Sequence, residues 1–183
     1  MYVRSTISEC RKQQLESSDF DVMWLKIRMP SHLAFVCSVY RSPNDSNHAQ
    51  MFKHLSSQID HINQCYPSGA VIILGDLNVN NKSWLTHSNK TDPEGIMAEN
   101  FAISHNLTQL VNEPTRIPDV SSHFANTLDL FLTSDPEKYS LQVNAPLGNS
   151  DHCLVTASHL ILPEIQTTCR PRRIWHYRTA KWD

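Results

Sequence analysis

At 183 residues, with 40% hydrophobic and 19% charged residues, the chain has the composition of one soluble globular domain and is long enough to bury a core. Its apolar runs are too short to span a bilayer and its first residues carry no apolar signal segment, so the expectation is an intracellular protein, neither membrane-inserted nor secreted. Five scattered cysteines show no Cys-x-x-Cys spacing, which argues against a disulfide framework or a zinc site, and a net charge of −2 argues against broad electrostatic binding of nucleic acid.

Three β-like segments open the chain, at residues 6–15, 21–29 and 32–40, rich in β-branched and aromatic types and joined by polar turns. They predict an antiparallel meander, with the third segment apolar enough to be central, until Arg41-Ser42-Pro43-Asn44 breaks it. Over residues 46–64 the apolar positions Met51, Leu55, Ile59 and Ile62 recur every three or four residues, which predicts a helix with one buried face and Ser46 or Asn47 as its N-cap. Val71-Ile72-Ile73-Leu74 then reads as a strand buried on both faces. It ends in Gly75-Asp76-Leu77-Asn78, where alternation points Asp76 and Asn78 the same way; the same residues also suit an Asx turn that merely caps the backbone.

A second helix follows from Asp92 or Pro93 to His105, with Ile96, Met97, Phe101 and Ile103 as its apolar stripe, and a strand is expected over residues 107–111. Residues 112–118 form an extended polar loop held by Pro114 and Pro118. The run from Thr127 to Ser134 is an apolar strand with Asp129 inside it, and a buried lone carboxylate needs a partner. After a strand over residues 140–144, Asp151 and His152 stand at the mouth of the apolar run that begins at Cys153. Cys37 and Cys153 read as small core residues. Residues 163–183 read as a linker and a basic tail, carrying Arg170, Arg172, Arg173, Arg178 and Lys181 against Asp183 alone. The acidic remainder of the chain fits a site that gathers carboxylates around a divalent cation.

Polar residues thus sit on or at the ends of three buried-type strands. If those strands belong to two packed sheets their ends can converge, bringing Asp76, Asn78, Asp129, Asp151 and His152 into one cleft. Such a set is matched to metal-assisted hydrolysis of a phosphate ester: a hard cation takes oxygen ligands, a carboxylate takes a proton from water, and an imidazole stabilises the developing charge. Asp129 beside His152 would orient the ring and favour its charged form.

Gly-Asp-Leu-Asn at 75–78, Thr-Leu-Asp-Leu-Phe-Leu at 127–132 and Ser-Asp-His-Cys at 150–153 resemble, in order and separation, three motifs of the endonuclease/exonuclease/phosphatase superfamily. Val39-Tyr40-Arg41-Ser42-Pro43, Asn112-Glu113-Pro114-Thr115-Arg116 and the stretch from Trp175 to Trp182 narrow the resemblance to the endonuclease domain of non-LTR retrotransposons. The resemblance implies a four-layered α/β sandwich, two mixed β-sheets face to face with helices outside. It further implies an endonuclease acting on DNA with Mg²⁺ or Mn²⁺, nuclear, followed by a reverse transcriptase in the full element. By motif, Asp76 activates water, Asn78 and His152 hold the phosphate, Asp129 orients His152, Asp151 binds metal or assists acid-base chemistry, and Tyr40 faces the phosphate.

Two earlier motifs of the superfamily, an asparagine and a metal-binding glutamate at the ends of its first strands, have no counterpart, and Glu9 and Glu16 stand in the wrong context to replace them. The expectation is therefore a domain over residues 1–162, incomplete at the N-terminus, with weakened metal binding and reduced turnover. The alternative is an inactive remnant that binds nucleic acid or protein.

Overall fold

A computed structural model of the chain describes residues 1–160, apart from residues 6, 8, 30, 31, 45, 46 and 119–123. The expected linker and basic tail, with the segment from Trp175 to Trp182, and the Ser46 cap lie outside the described residues, so Asn47 alone occupies the N-cap position of the first helix.

Two sheets are present. The larger is built from β1 (Glu9–Arg11), β2 (Asp21–Arg28), β3 (Leu33–Tyr40), β4 (Ala70–Asp76), β5 (Thr108–Gln109) and β6 (Asp129–Thr133), in the order β1-β2-β3-β4-β6-β5. The expected meander is there, with β3 inside the sheet; β3 and β4 run parallel, joined by helix α1 (His48–Cys65), and all other pairs are antiparallel. The smaller sheet is the antiparallel pair β7 (Tyr139–Pro146) and β8 (Cys153–His159).

Strand alternation separates two cores. Trp24, Phe35, Cys37, Val39, Val71, Ile73, Leu130 and Leu132 face outward and pack with Met51, Phe52, Leu55, Ile59 and Ile62 of α1 and with helix α2 (Pro93–Ser104). Their neighbours Ala34, Val36, Ile72, Leu74 and Phe131 face inward, towards Leu141, Val143 and Val155 of the small sheet. The β4 run is buried on both faces because each face meets a different layer. Among the described residues, no helix is long and apolar enough to cross a membrane.

Three local expectations change. The first strand shrinks to Glu9–Arg11, because the chain turns at Gln13–Leu15 to tuck Leu15 into the core while Glu16 takes the Trp24 backbone N–H and a two-pronged ion pair from Arg11. The strand at 107–111 shortens to Thr108–Gln109, since the Gln109 side chain folds back onto the N–H and carbonyl of Val111. On α2 the buried stripe is Gly95, Ala98, Phe101 and Ala102, whereas Ile96 and Ile103 are exposed. The reason is close approach: a Cβ on Gly95 would lie 2.0 Å from the carbonyl oxygen of Asn80, so α2 rests its small-residue face on the loop after β4. Asp92 caps that helix and grips Asn80, accepting from the Gly95 N–H at 2.8 Å and from Asn80 Nδ2 at 2.8 Å. Cys37 is a core residue as expected, whereas Cys153 is only half-buried.

Gly75 is a stricter case. Its φ is +141°, and a Cβ there would sit 1.9 Å from the Val39 carbonyl oxygen of β3, a clash with backbone that no rotamer relieves. We expect Gly75→Ala to cost about 3 kcal/mol or more, the scale of combined backbone strain and clash. Urea unfolding followed by circular dichroism checks this, with Gly148→Ala as the comparison, since it shares a positive φ but meets nothing within 4 Å.

Candidate active site

The site begins with strand register. Asp76 is the last residue of β4, and it lies opposite Tyr40 of β3 on one side and Asp129 of β6 on the other. Paired residues share a face, so all three belong to the inner face, towards the small sheet. Beyond Asp76 alternation fails. The Asn78 N–H donates to Asp76 Oδ1 at 3.1 Å and Asn78 adopts a left-handed φ of 50°. The turn is thus an Asx turn, and the same turn leaves Asp76 at the strand end beside Asp129, so the two readings of Gly75-Asp76-Leu77-Asn78 are compatible.

Asp129 and His152 come together across the gap between sheets. His152 Nδ1 lies 2.8 Å from Asp129 Oδ2, with the two side chains 31% and 24% exposed. Residue Thr115 makes that possible. It is fully buried, and its hydroxyl accepts the N–H groups of Leu128 at 3.0 Å and Asp129 at 2.9 Å, while its carbonyl accepts the Cys153 N–H at 2.7 Å. One residue therefore fixes the backbone on which Asp129 sits and the backbone next to His152. The flanking residues extend the clasp, Ile117 donating its N–H to the Asp151 carbonyl at 2.9 Å.

One oxygen each from Asp76 and Asp129 and a ring nitrogen of His152 lie within 4.8 Å of one another, the one group of this kind found among the described residues. Asp151 stands outside it: its carboxylate is taken by Arg116 Nε at 2.7 Å, which holds it below the usual carboxylate range, the hydrogen bond outweighing the small effect of burial. Tyr40 is half-exposed at 48% beside Asp76. Asn78, at the edge of this group, lines a cleft of about 640 Å³ whose charged walls are Arg41, Lys90 and Arg116 together with Asp92 and Glu94; Asp76, Asp129 and His152 are not among its lining residues. Burial raises the pKa of Asp76, and the charge of Asp129 raises it further, against the opposing pull of His152 and of the hydrogen bonds from Asn78.

Two contributors were not singled out from residue types. Thr115 in a polar loop gives no sign that it will be buried; only the Asn-Glu-Pro-Thr-Arg resemblance marks it. Arg41 reads as the residue that breaks β3, yet it is 3% exposed and bonded to the turn after β4.

A carboxylate pair, an imidazole and a carboxamide thus stand at one end of two facing sheets, a set of groups that can take part in metal-assisted hydrolysis of a phosphate ester. Residues 34–156 match the family described as endonuclease-reverse transcriptase, and the chain belongs to that family. Among solved structures, the endonuclease domain of TRAS1, a telomere-specific non-LTR retrotransposon, is 17% identical over 87% of this chain and 71% of that one, with a TM-score of 0.67. An AP endonuclease, LMAP from Leishmania major, is 12% identical over 72% and 52% of the two chains with a TM-score of 0.54. The beta toxin of Staphylococcus aureus is 16% identical over 76% and 57% with a TM-score of 0.52. These likenesses establish the endonuclease/exonuclease/phosphatase fold, and the chain spans little more than half the length of the last two. No curated protein matches the sequence.

Two expectations test this geometry. Thr115→Val leaves two backbone N–H groups unsatisfied and should cost about 2 kcal/mol in urea unfolding, while Thr115→Ser stays near wild type. Asp76 has a raised pKa in the folded state, so its protonation favours folding below the unfolded value of about 3.9 and that contribution is lost as pH rises through the folded value. Asp76→Asn should therefore raise Tm near pH 7 in chelator-containing buffer, and the gain should vanish as pH falls below about 4.

Proposed function

We propose that the chain is a metal-dependent DNA endonuclease that hydrolyses one phosphodiester bond, the nicking domain of a retroelement whose full-length form carries a reverse transcriptase and works in the nucleus. The observation that carries the reading is the convergence of Asp76, Asp129 and His152, with Asn78 of the same turn lining an adjoining cleft that holds Arg116 and Lys90 as well as Asp92 and Glu94. Family membership supports the reaction class, and the two cations fit a phosphate backbone.

The donor set fits a hard divalent cation. Two carboxylate oxygens within 4.8 Å of each other suit Mg²⁺ or Mn²⁺, with Asp76 and Asp129 as the oxygen ligands and His152 beside them as a donor to the phosphate. When bound, such an ion neutralises phosphate charge and lowers the pKa of water. The residues supply the rest. Asp76, whose raised pKa brings it nearer the working range of a base, orients the attacking water and takes its proton. Asp129 accepts from Nδ1 of His152, leaving the other ring nitrogen to donate to the phosphate. The Asn78 amide donates one N–H to the Arg41 carbonyl and stands beside the Asp76 carboxylate, where its second N–H is the one a phosphate oxygen would take over. Tyr40 faces the phosphate from β3, and Asp151 holds Arg116 at the cleft. Because among the described residues only the two carboxylates are left to hold the ion, we expect weak metal affinity and slow turnover.

Nicking of supercoiled plasmid with Mg²⁺ or Mn²⁺, blocked by chelator, is the test. His152→Ala and Asp129→Asn should each lower the rate at least about 100-fold, as expected for loss of an acid-base or oxyanion group. Wild-type protein that leaves the plasmid supercoiled at high metal concentration yet retards it on a gel would instead establish a catalytically silent nucleic-acid binder.

A further inference from the structure

A buried arginine normally answers a buried carboxylate, because an isolated charge is costly to remove from water. Arg41 answers none among the described residues. All three of its guanidinium nitrogens point to backbone carbonyls: Nε to Leu77 at 2.7 Å, Nη2 to Asn78 at 2.5 Å, and Nη1 to Ser42 at 3.3 Å. The contact is returned twice. Asn78 Nδ2 donates to the Arg41 carbonyl at 2.8 Å, and the Arg41 N–H donates to the Asp76 carbonyl at 2.9 Å. Every residue from Asp76 to Asn78 is thus tied to one side chain or to its own backbone.

The tie acts where the backbone is least content. Asn78 has a φ of 50°, in the left-handed region that is uncommon for residues with a Cβ and that asparagine tolerates best. A planar guanidinium can hold two successive carbonyls in one orientation, which an ammonium cannot do. Fixing the Leu77 and Asn78 carbonyls fixes the peptide planes on either side of Asn78, and so the direction in which its carboxamide leaves the chain. Arg41 also lines the same cleft as Asn78.

We propose that Arg41 is a positioning residue for the phosphate-binding carboxamide: its fork holds Asn78 in the left-handed turn and so sets the direction in which that carboxamide stands beside Asp76. The catalytic consequence rests on the endonuclease reading above, whereas the geometry does not.

Arg41→Lys keeps the charge and removes the fork, and two readouts apply to it in the folded chain. In NMR spectra the side-chain amide pair of Asn78, identified by its absence in Asn78→Ala, should be well dispersed and slow to exchange in the wild type and collapse to free-amide values in Arg41→Lys. In the nicking assay Arg41→Lys should lower kcat about 10- to 100-fold, the effect of misplacing a site group, with KM little changed. The double variant with Asn78→Ala should be no slower than Asn78→Ala alone, because a residue that acts through Asn78 has nothing left to act on. Losses that multiply in the double variant, or an unaltered Asn78 amide pair in Arg41→Lys, would overturn the proposal. If the wild type does not nick DNA at all, the endonuclease reading falls, and the amide pair alone decides whether Arg41 positions Asn78. Should Arg41→Lys fail to fold, Arg41→Gln, which retains one amide donor pair without the fork, is read by the same two measurements.

Discussion

The site depends on the closeness of two backbones. Without a side chain on Gly75, β4 can lie against the Val39 carbonyl of β3, and this contact fixes how far β4 runs before it turns. The consequence is a row of side chains on adjacent strand ends. Tyr40, Asp76 and Asp129 are neighbours because β3, β4 and β6 share one register, although 89 residues of sequence separate the first from the last. Each is placed by backbone hydrogen bonds, the least mobile means a protein has of setting a carboxylate.

A single sheet could not complete the group. His152 enters from the small sheet, and a sheet pair held only by apolar contact between Phe131, Leu141, Val143 and Val155 has freedom to slide. The buried Thr115 removes that freedom at the one end where it matters, bonding to β6 through its hydroxyl and to β8 through its carbonyl. The polar clasp and the apolar interface divide the work: the first sets position, the second holds the layers together. The same division appears at the turn after β4, where the buried Arg41 meets carbonyls and, among the described residues, no carboxylate.

Electrostatics follow from this assembly. Two carboxylates brought together at the end of a partly buried strand raise the cost of ionising Asp76, and the imidazole of His152 reduces it only in part. A cation suits such a site for the reason that it relieves both carboxylates. Arg116, outside the group, is paired with Asp151 and lines the adjoining cleft, whose walls carry charges of both signs, so the carboxylates of Asp76 and Asp129 have His152 as the nearest compensating group.

Much was legible from residue order. The periodicity of Met51, Leu55, Ile59 and Ile62 defines α1, the apolar run through Leu74 defines β4, and the carboxylate within an apolar strand announces that Asp129 has a partner. These signals are local: burial of one face repeats every two or every three to four residues, and a buried charge always needs compensation. Spacing misled on α2, where Ile96 and Ile103 look like the core but the small residues win, because the helix must meet the backbone of Asn80 at contact distance. The sequence by itself determined most of the elements, the family and five residues that the fold gathers at neighbouring strand ends and the turn beside them: Tyr40, Asp76, Asn78, Asp129 and His152. Only the tertiary structure decided that Asp151 faces Arg116 instead of the carboxylate group, that Thr115 clasps two sheets, and that Arg41 fastens the turn of Asn78. Those roles depend on which backbone groups lie opposite a side chain from a distant segment, and residue type alone carries no record of that.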